Sequence, residues 1–122
     1  MIILLLTALA GGFGAAARYA LDVTLSRRVD RGWVRLLVIN ASGSAVLGLL
    51  AGLVSNRILG ADLHLVLGAG FVGGYTTFIA ASLATVRLVE ERRWAASLAA
   101  SLGMLLASVA AAGIGLATGL AL

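Results

Sequence analysis

Gly70-Phe71-Val72-Gly73-Gly74-Tyr75-Thr76-Thr77-Phe78 is the stretch on which the fold turns. Three glycines in five residues, followed by two threonines, are poor material for an unbroken helix. Yet the stretch lies inside an apolar block, 63–86, that holds no acid and no arginine. Within a bilayer, a break is tolerated only where its backbone groups meet protein, water or an ion. A break at mid-membrane frees carbonyl oxygens, which suit a hard cation such as Na⁺. The same glycines equally suit a close-packing face on an intact helix. The residues alone leave both readings open.

The rest of the chain places this block in lipid. Of 122 residues, 61% are hydrophobic and 11% charged, against about 25% charge in an ordinary soluble domain. Spanning a hydrocarbon core of about 30 Å takes roughly 20 apolar residues as a helix. Four such blocks are present, 1–21, 36–55, 63–86 and 94–120, and the charges fall between them or at their borders. The expected fold is a single all-α integral membrane unit of four transmembrane helices, occupying 1–122, with the third helix broken. The opening block has no basic leader region, so it reads as a retained first span rather than a cleaved signal. Gly48 and Gly52, Gly70 and Gly74, and Gly115 and Gly119 are each four apart. That spacing clears one helix face of side chains and lets backbones approach in lipid.

Several functions are excluded by what is missing. Without cysteine there is no disulfide scaffold, thiolate metal site or cysteine nucleophile. One histidine and five acids outside the span interiors leave no catalytic constellation, so an enzyme is not expected. All nine basic residues are arginines, but they sit between apolar blocks with no interleaved aromatics, so nucleic acid is not the expected partner. A proton-coupled small multidrug exporter needs an acid within its spans, and none is found there. What the spans do hold is uncharged hydrogen-bonding capacity. Asn40 and Ser44 share a helix face, as do Ser101 and Ser108. Asn40 suits either a helix–helix hydrogen bond or a water-filled path.

With four spans, the first and third connections lie at one membrane face. They carry Arg27, Arg28, Arg31, Arg35, Arg87, Arg92 and Arg93, whereas the second connection carries Arg57 alone. The positive-inside rule therefore places both termini outside the cytoplasm.

Three segments, Gly11-Gly12-Phe13-Gly14-Ala15-Ala16-Ala17-Arg18-Tyr19, Asn40-Ala41-Ser42-Gly43 and Gly70 through Phe78, resemble the signature stretches of the CrcB/Fluc fluoride channel family. Their order, their spans and the total length all match. The resemblance implies a small four-helix subunit assembling as an antiparallel dual-pore dimer that passively exports fluoride across a prokaryotic plasma (inner) membrane. Carried over by position, it implies that Gly73 and Thr76 offer carbonyls to a structural Na⁺ and that Asn40 donates its amide to fluoride. Phe78 would present its ring edge, Thr77 would lie beside the ion path, and Ser108 would join a polar track on the fourth helix. Arg18 would be the positive residue closing the first motif.

The sequence departs from the family pattern on its third and fourth spans. The motif normally continues to a second Phe three residues after the first, where this chain has Ala81; Ala100, Met104 and Ala112 also replace polar positions on the fourth span. Family homodimers insert in both orientations, which calls for balanced arginine, and seven against one is unbalanced. The alternative to a homodimer is thus a paired CrcB-like subunit of opposite topology. In that assembly this chain would be a half-pore or non-conducting partner.

Overall fold

The computed structural model describes residues 1–122. The first two spans are continuous helices, α1 (Ile2–Ser26) and α2 (Gly32–Ser55), and the last is α6 (Trp94–Ala121). The third span is compound. It begins as α3 (Ala61–His64), widens into a π-helical stretch (Leu65–Val72) and tightens again as α4 (Gly73–Tyr75). It then breaks at Thr76 and Thr77 and resumes as α5 (Phe78–Glu90). All four spans are long and apolar enough to cross a membrane.

The helices overrun their expected limits. α1 continues past Leu21 through Asp22 to Ser26, α2 starts at Gly32, and the third span runs from Ala61 to Glu90. Charged residues at these ends can occupy the headgroup region, where the backbone keeps its helical bonds although the side chains leave hydrocarbon.

Only 13 of the 122 residues are buried, and the buried hydrophobics number just Ile39, Leu50, Val72 and Ala100. Lipid must therefore cover most of the apolar surface, and cohesion comes from close backbone approach rather than from a large core. The glycines supply it in two seams. α2 lies along α6, where a Cβ on Gly48 would collide with the Ala112 carbonyl and one on Gly115 with the Ala45 carbonyl. α1 lies along the first half of the third span, where a Cβ on Gly14 would strike the Phe71 carbonyl and one on Gly74 the Gly11 carbonyl. Both readings of the glycine stretch thus hold at once. Gly70 and Gly74 are packing positions, and the break falls just after them.

Polar groups in the spans are satisfied locally. Thr7, Ser55 and Thr118 donate their hydroxyls to carbonyls four residues back on their own helices. No buried side-chain nitrogen or oxygen lacks a partner. At the end of α6, Asn56 donates to the Leu120 carbonyl at 2.8 Å, satisfying an acceptor that the helix itself leaves unpaired.

Candidate functional site

The break is built by two threonines. The carbonyl of Val72 accepts both the backbone N–H of Thr76 at 2.9 Å and its hydroxyl at 3.0 Å, which closes the first half of the span. Thr76 and Thr77 then run extended, with φ/ψ of −85/157° and −150/117°. β-branched side chains favour this conformation. Thr77 also caps α5, its hydroxyl oxygen accepting the Ala80 N–H at 3.4 Å.

Asn40, at mid-helix in α2, completes the arrangement. Its Oδ1 accepts the N–H of Thr77 at 3.2 Å. That contact fixes which way the amide points, because only the oxygen can accept. The Nδ2 group is thereby turned toward Met104, donating to its sulfur at 3.4 Å. A thioether is a weak acceptor, so the Asn40 NH₂ is held in place without being strongly engaged. Beside it, Gly43 lets α2 approach the break: a Cβ there would collide with the Thr76 methyl group. Tyr75 reaches back to Ser42 at 2.9 Å. Since Ser42 donates its only hydroxyl proton to the Ile39 carbonyl, Tyr75 is the donor in that pair.

These groups open onto a cavity of about 610 Å³ between α2, the break, α5 and α6. Its polar lining comes from Asn40, Ser44, Thr76, Thr77, Ser82, Thr85, Ser101 and Ser108, and no charged side chain reaches it. Every one of those side chains is able to donate a hydrogen bond. Phe78 stands at the same cavity with 85% of its surface exposed, and Ala81 lies one turn beyond.

The break also leaves acceptors free. The N–H that would close on the Gly73 carbonyl is that of Thr77, which is diverted to Asn40, and the Thr76 carbonyl accepts no backbone hydrogen bond. Both are hard oxygen donors of the kind Na⁺ takes. No cluster of carboxylates or histidines offers a competing metal site.

Of the residues expected from sequence, Asn40, Thr76, Thr77, Phe78 and Ser108 meet at this one cavity. Gly73 sits behind it in α4, offering backbone only. Arg18 lies elsewhere, in a second cavity of about 700 Å³ shared with Asp22, Arg31, Arg35, Arg87 and Arg93. There Arg35 bridges to Asp22 at 2.8 Å and donates to the Val29 carbonyl at 2.9 Å. The ends of α1 and α5 and the starts of α2 and α6 therefore share one face, as four consecutive spans require. Sequence reasoning missed Ser82 and Thr85. The signal lay in their positions four after Phe78 and four after Ala81, which place them on the faces those residues present.

Residues 5–116 match the family model described as CrcB-like protein, Camphor Resistance (CrcB). The chain is 41% identical over 116 residues to the fluoride-specific ion channel FluC 1 of Leifsonia xyli subsp. xyli, covering 94% of this chain and 85% of that protein. It is 40% identical over 117 residues to fluoride-specific ion channel FluC of Phenylobacterium zucineum, covering 93% and 91%. Against FluC 2 of Mycolicibacterium paratuberculosis the identity is 44% over 93 residues, covering 75% and 73%. A family-model match from residue 5 to residue 116 and relatives about 40% identical along most of their length lead to one assignment: this chain belongs to the CrcB family.

Proposed function

We propose that this chain is a subunit of a fluoride-specific channel that lets fluoride leave the cytoplasm passively through the plasma membrane of a prokaryote. The observation that carries the reading is the Asn40 amide, oriented by Thr77 and presented to a cavity lined by uncharged donors. Fluoride is small and holds its water tightly, so a path must substitute its own donors for those of water. Asn NH₂ and Ser or Thr hydroxyls do so, and the positive edge of the Phe78 ring adds to them. The amino end of α5 contributes backbone N–H groups that have no helical partner, together with the positive end of its dipole. The absence of any carboxylate along the cavity spares the anion repulsion.

A structural Na⁺ belongs to the same reading, held by the Gly73 and Thr76 carbonyls. When bound, it supplies a fixed positive charge that satisfies those oxygens and favours an anion nearby. It is not transported. The chain's own residues do the conducting work: Asn40, Thr77 and Ser108 exchange hydrogen bonds with the passing ion.

The channel is an antiparallel pair of subunits with two pores. The exposed Phe78 ring at the cavity mouth suits a second subunit that covers it. A partner of opposite arginine bias fits better than a second copy. The arginine-rich connections share one end of the molecule, and Ala81 leaves its part of the lining without the second aromatic ring. In that arrangement the partner supplies the missing ring to at least one pore.

Fluoride efflux from liposomes, followed with a fluoride electrode, tests both levels. Efflux from this chain together with an opposite-facing CrcB subunit is expected to exceed that from this chain alone. Equal efflux from the chain alone would favour the homodimer, and no efflux in either case would sink the channel reading.

A further inference from the structure

Toward the arginine-rich end, the cavity is flanked by a hydroxyl pair that the channel reading has not used. Thr85 on α5 and Ser101 on α6 face each other with their oxygens 3.3 Å apart. Each hydroxyl has a single proton. Thr85 donates to the Ala81 carbonyl at 3.0 Å, and Ser101 to the Ser97 carbonyl at 2.9 Å. These carbonyls lie four residues back, where a regular helix already provides each with a backbone N–H. Rotating either hydroxyl away therefore orphans no acceptor. Moreover, the two hydroxyls cannot bond each other while both protons stay on their carbonyls, so the pair is built to reorient.

With both protons turned into the cavity, the two O–H groups converge on a single point. Oxygens 3.3 Å apart can each reach a monatomic anion at the roughly 2.6 Å of a charge-assisted O–H bond. A separate tie joins the two helices away from the cavity: Ser97 is only 5% exposed, and its hydroxyl donates to the Thr85 carbonyl at 3.2 Å. Thr85 lies two helical turns beyond Thr77, about 12 Å along α5, and two residues before Arg87. An anion drawn toward the arginine-rich face meets this pair before it meets Asn40.

We propose that Thr85 and Ser101 form a fluoride-binding way-station on the cytoplasmic side of the break, where the ion first exchanges water for protein hydroxyls. This rests on the fluoride-channel reading. The test is fluoride efflux and its dependence on fluoride concentration, measured in whichever assembly conducts, this chain alone or paired. The variants are Thr85→Val, Ser101→Ala, the double, Thr85→Ser and Ser97→Ala, each checked for wild-type elution on gel filtration.

Thr85→Val and Ser101→Ala are each expected to slow efflux about five-fold, the equivalent of one hydrogen bond, and to raise the half-saturating fluoride concentration. The double variant should fall short of the product of the singles, because the two hydroxyls serve one ion. Thr85→Ser should restore near-wild-type flux. Ser97→Ala, which touches the helix tie but not the cavity lining, should leave flux within about two-fold. Wild-type flux in the Thr85→Val and Ser101→Ala variants overturns the site while leaving the channel reading intact. An equal loss in Ser97→Ala also overturns it, by making the cluster a helix tie. A wild-type assembly that passes no fluoride removes the channel reading and this site with it.

Discussion

The side-chain oxygen of Asn40 accepts the backbone N–H of Thr77 at 3.2 Å, joining the middle of α2 to the gap in the third span. One residue thus meets two demands. Its oxygen satisfies a donor released by the break, and its nitrogen faces the cavity.

Substitutions at Asn40 separate those demands. Asn40→Asp keeps an acceptor for Thr77 but loses the NH₂ and adds an anionic group, so fluoride flux is expected to fall by about 100-fold or more with the fold retained. Asn40→Leu also strands the Thr77 N–H, which costs about 1–3 kcal/mol. Its thermal midpoint in detergent should drop well below that of the wild type. A wild-type midpoint for Asn40→Leu would show that the Thr77 contact contributes nothing to stability.

Gly43 sets how closely α2 approaches the break. A methyl group there meets the Thr76 side chain and lies 3.2 Å from the Tyr75 ring. Gly43→Ala is expected to displace Thr76 and cut flux at least ten-fold, with destabilisation of about 1–3 kcal/mol from overpacking. Gly12→Ala is the control, because a Cβ at Gly12 meets nothing within 4 Å. Efflux and melting curves for the two variants check the contrast.

The Tyr75–Ser42 contact is accessible to a double-mutant cycle. With Tyr75 as donor, Tyr75→Phe and Ser42→Ala should each cost about 0.5–1.5 kcal/mol. The double should cost little more than either single, since both remove the same bond. Fully additive losses would mean that the 2.9 Å contact is not an energetic link.

Orientation can be read cleanly because the chain has no cysteine. Gly60→Cys in the second connection and Ser26→Cys at the arginine-rich end provide two reporters. In intact cells, a membrane-impermeant maleimide is expected to label Gly60→Cys and spare Ser26→Cys. Labelling of both to equal extent would establish dual insertion and remove the argument for an opposite-facing partner.

Sodium supplies a further measurement. Exchanging Na⁺ for a large organic cation throughout purification should lower the thermal midpoint and reduce flux, and returning Na⁺ should reverse both. Melting curves indifferent to Na⁺ would take the ion away from the Gly73 and Thr76 carbonyls.

The four spans were legible because lipid imposes a simple code of apolar length and charge gaps, which also gave the common face of the arginine-rich connections. Asn40, Thr77 and Phe78 were legible through motif resemblance, and their meeting at one cavity follows from the Asn40–Thr77 bond. Two things were hidden. The glycine stretch offered packing or breakage as alternatives, whereas the chain uses Gly70 and Gly74 for packing and the extended threonines for the break. The cavity roles of Thr85 and Ser101 depend on how α5 leans on α6, a tertiary relation that span periodicity does not encode.

The π-helical stretch Leu65–Val72 carries a last consequence. Each wide turn stores a surplus residue relative to the ordinary helical repeat, so it serves as a phase adjuster for everything downstream. A deletion in a regular turn would swing the following segment by about 100°, but here a wide turn can tighten to an ordinary one and absorb the loss. Gly74 would then keep its groove on α1, and the threonine kink would still face Asn40. Shortening this segment by one residue should therefore be tolerated better than losing a residue from the regular turns of α5.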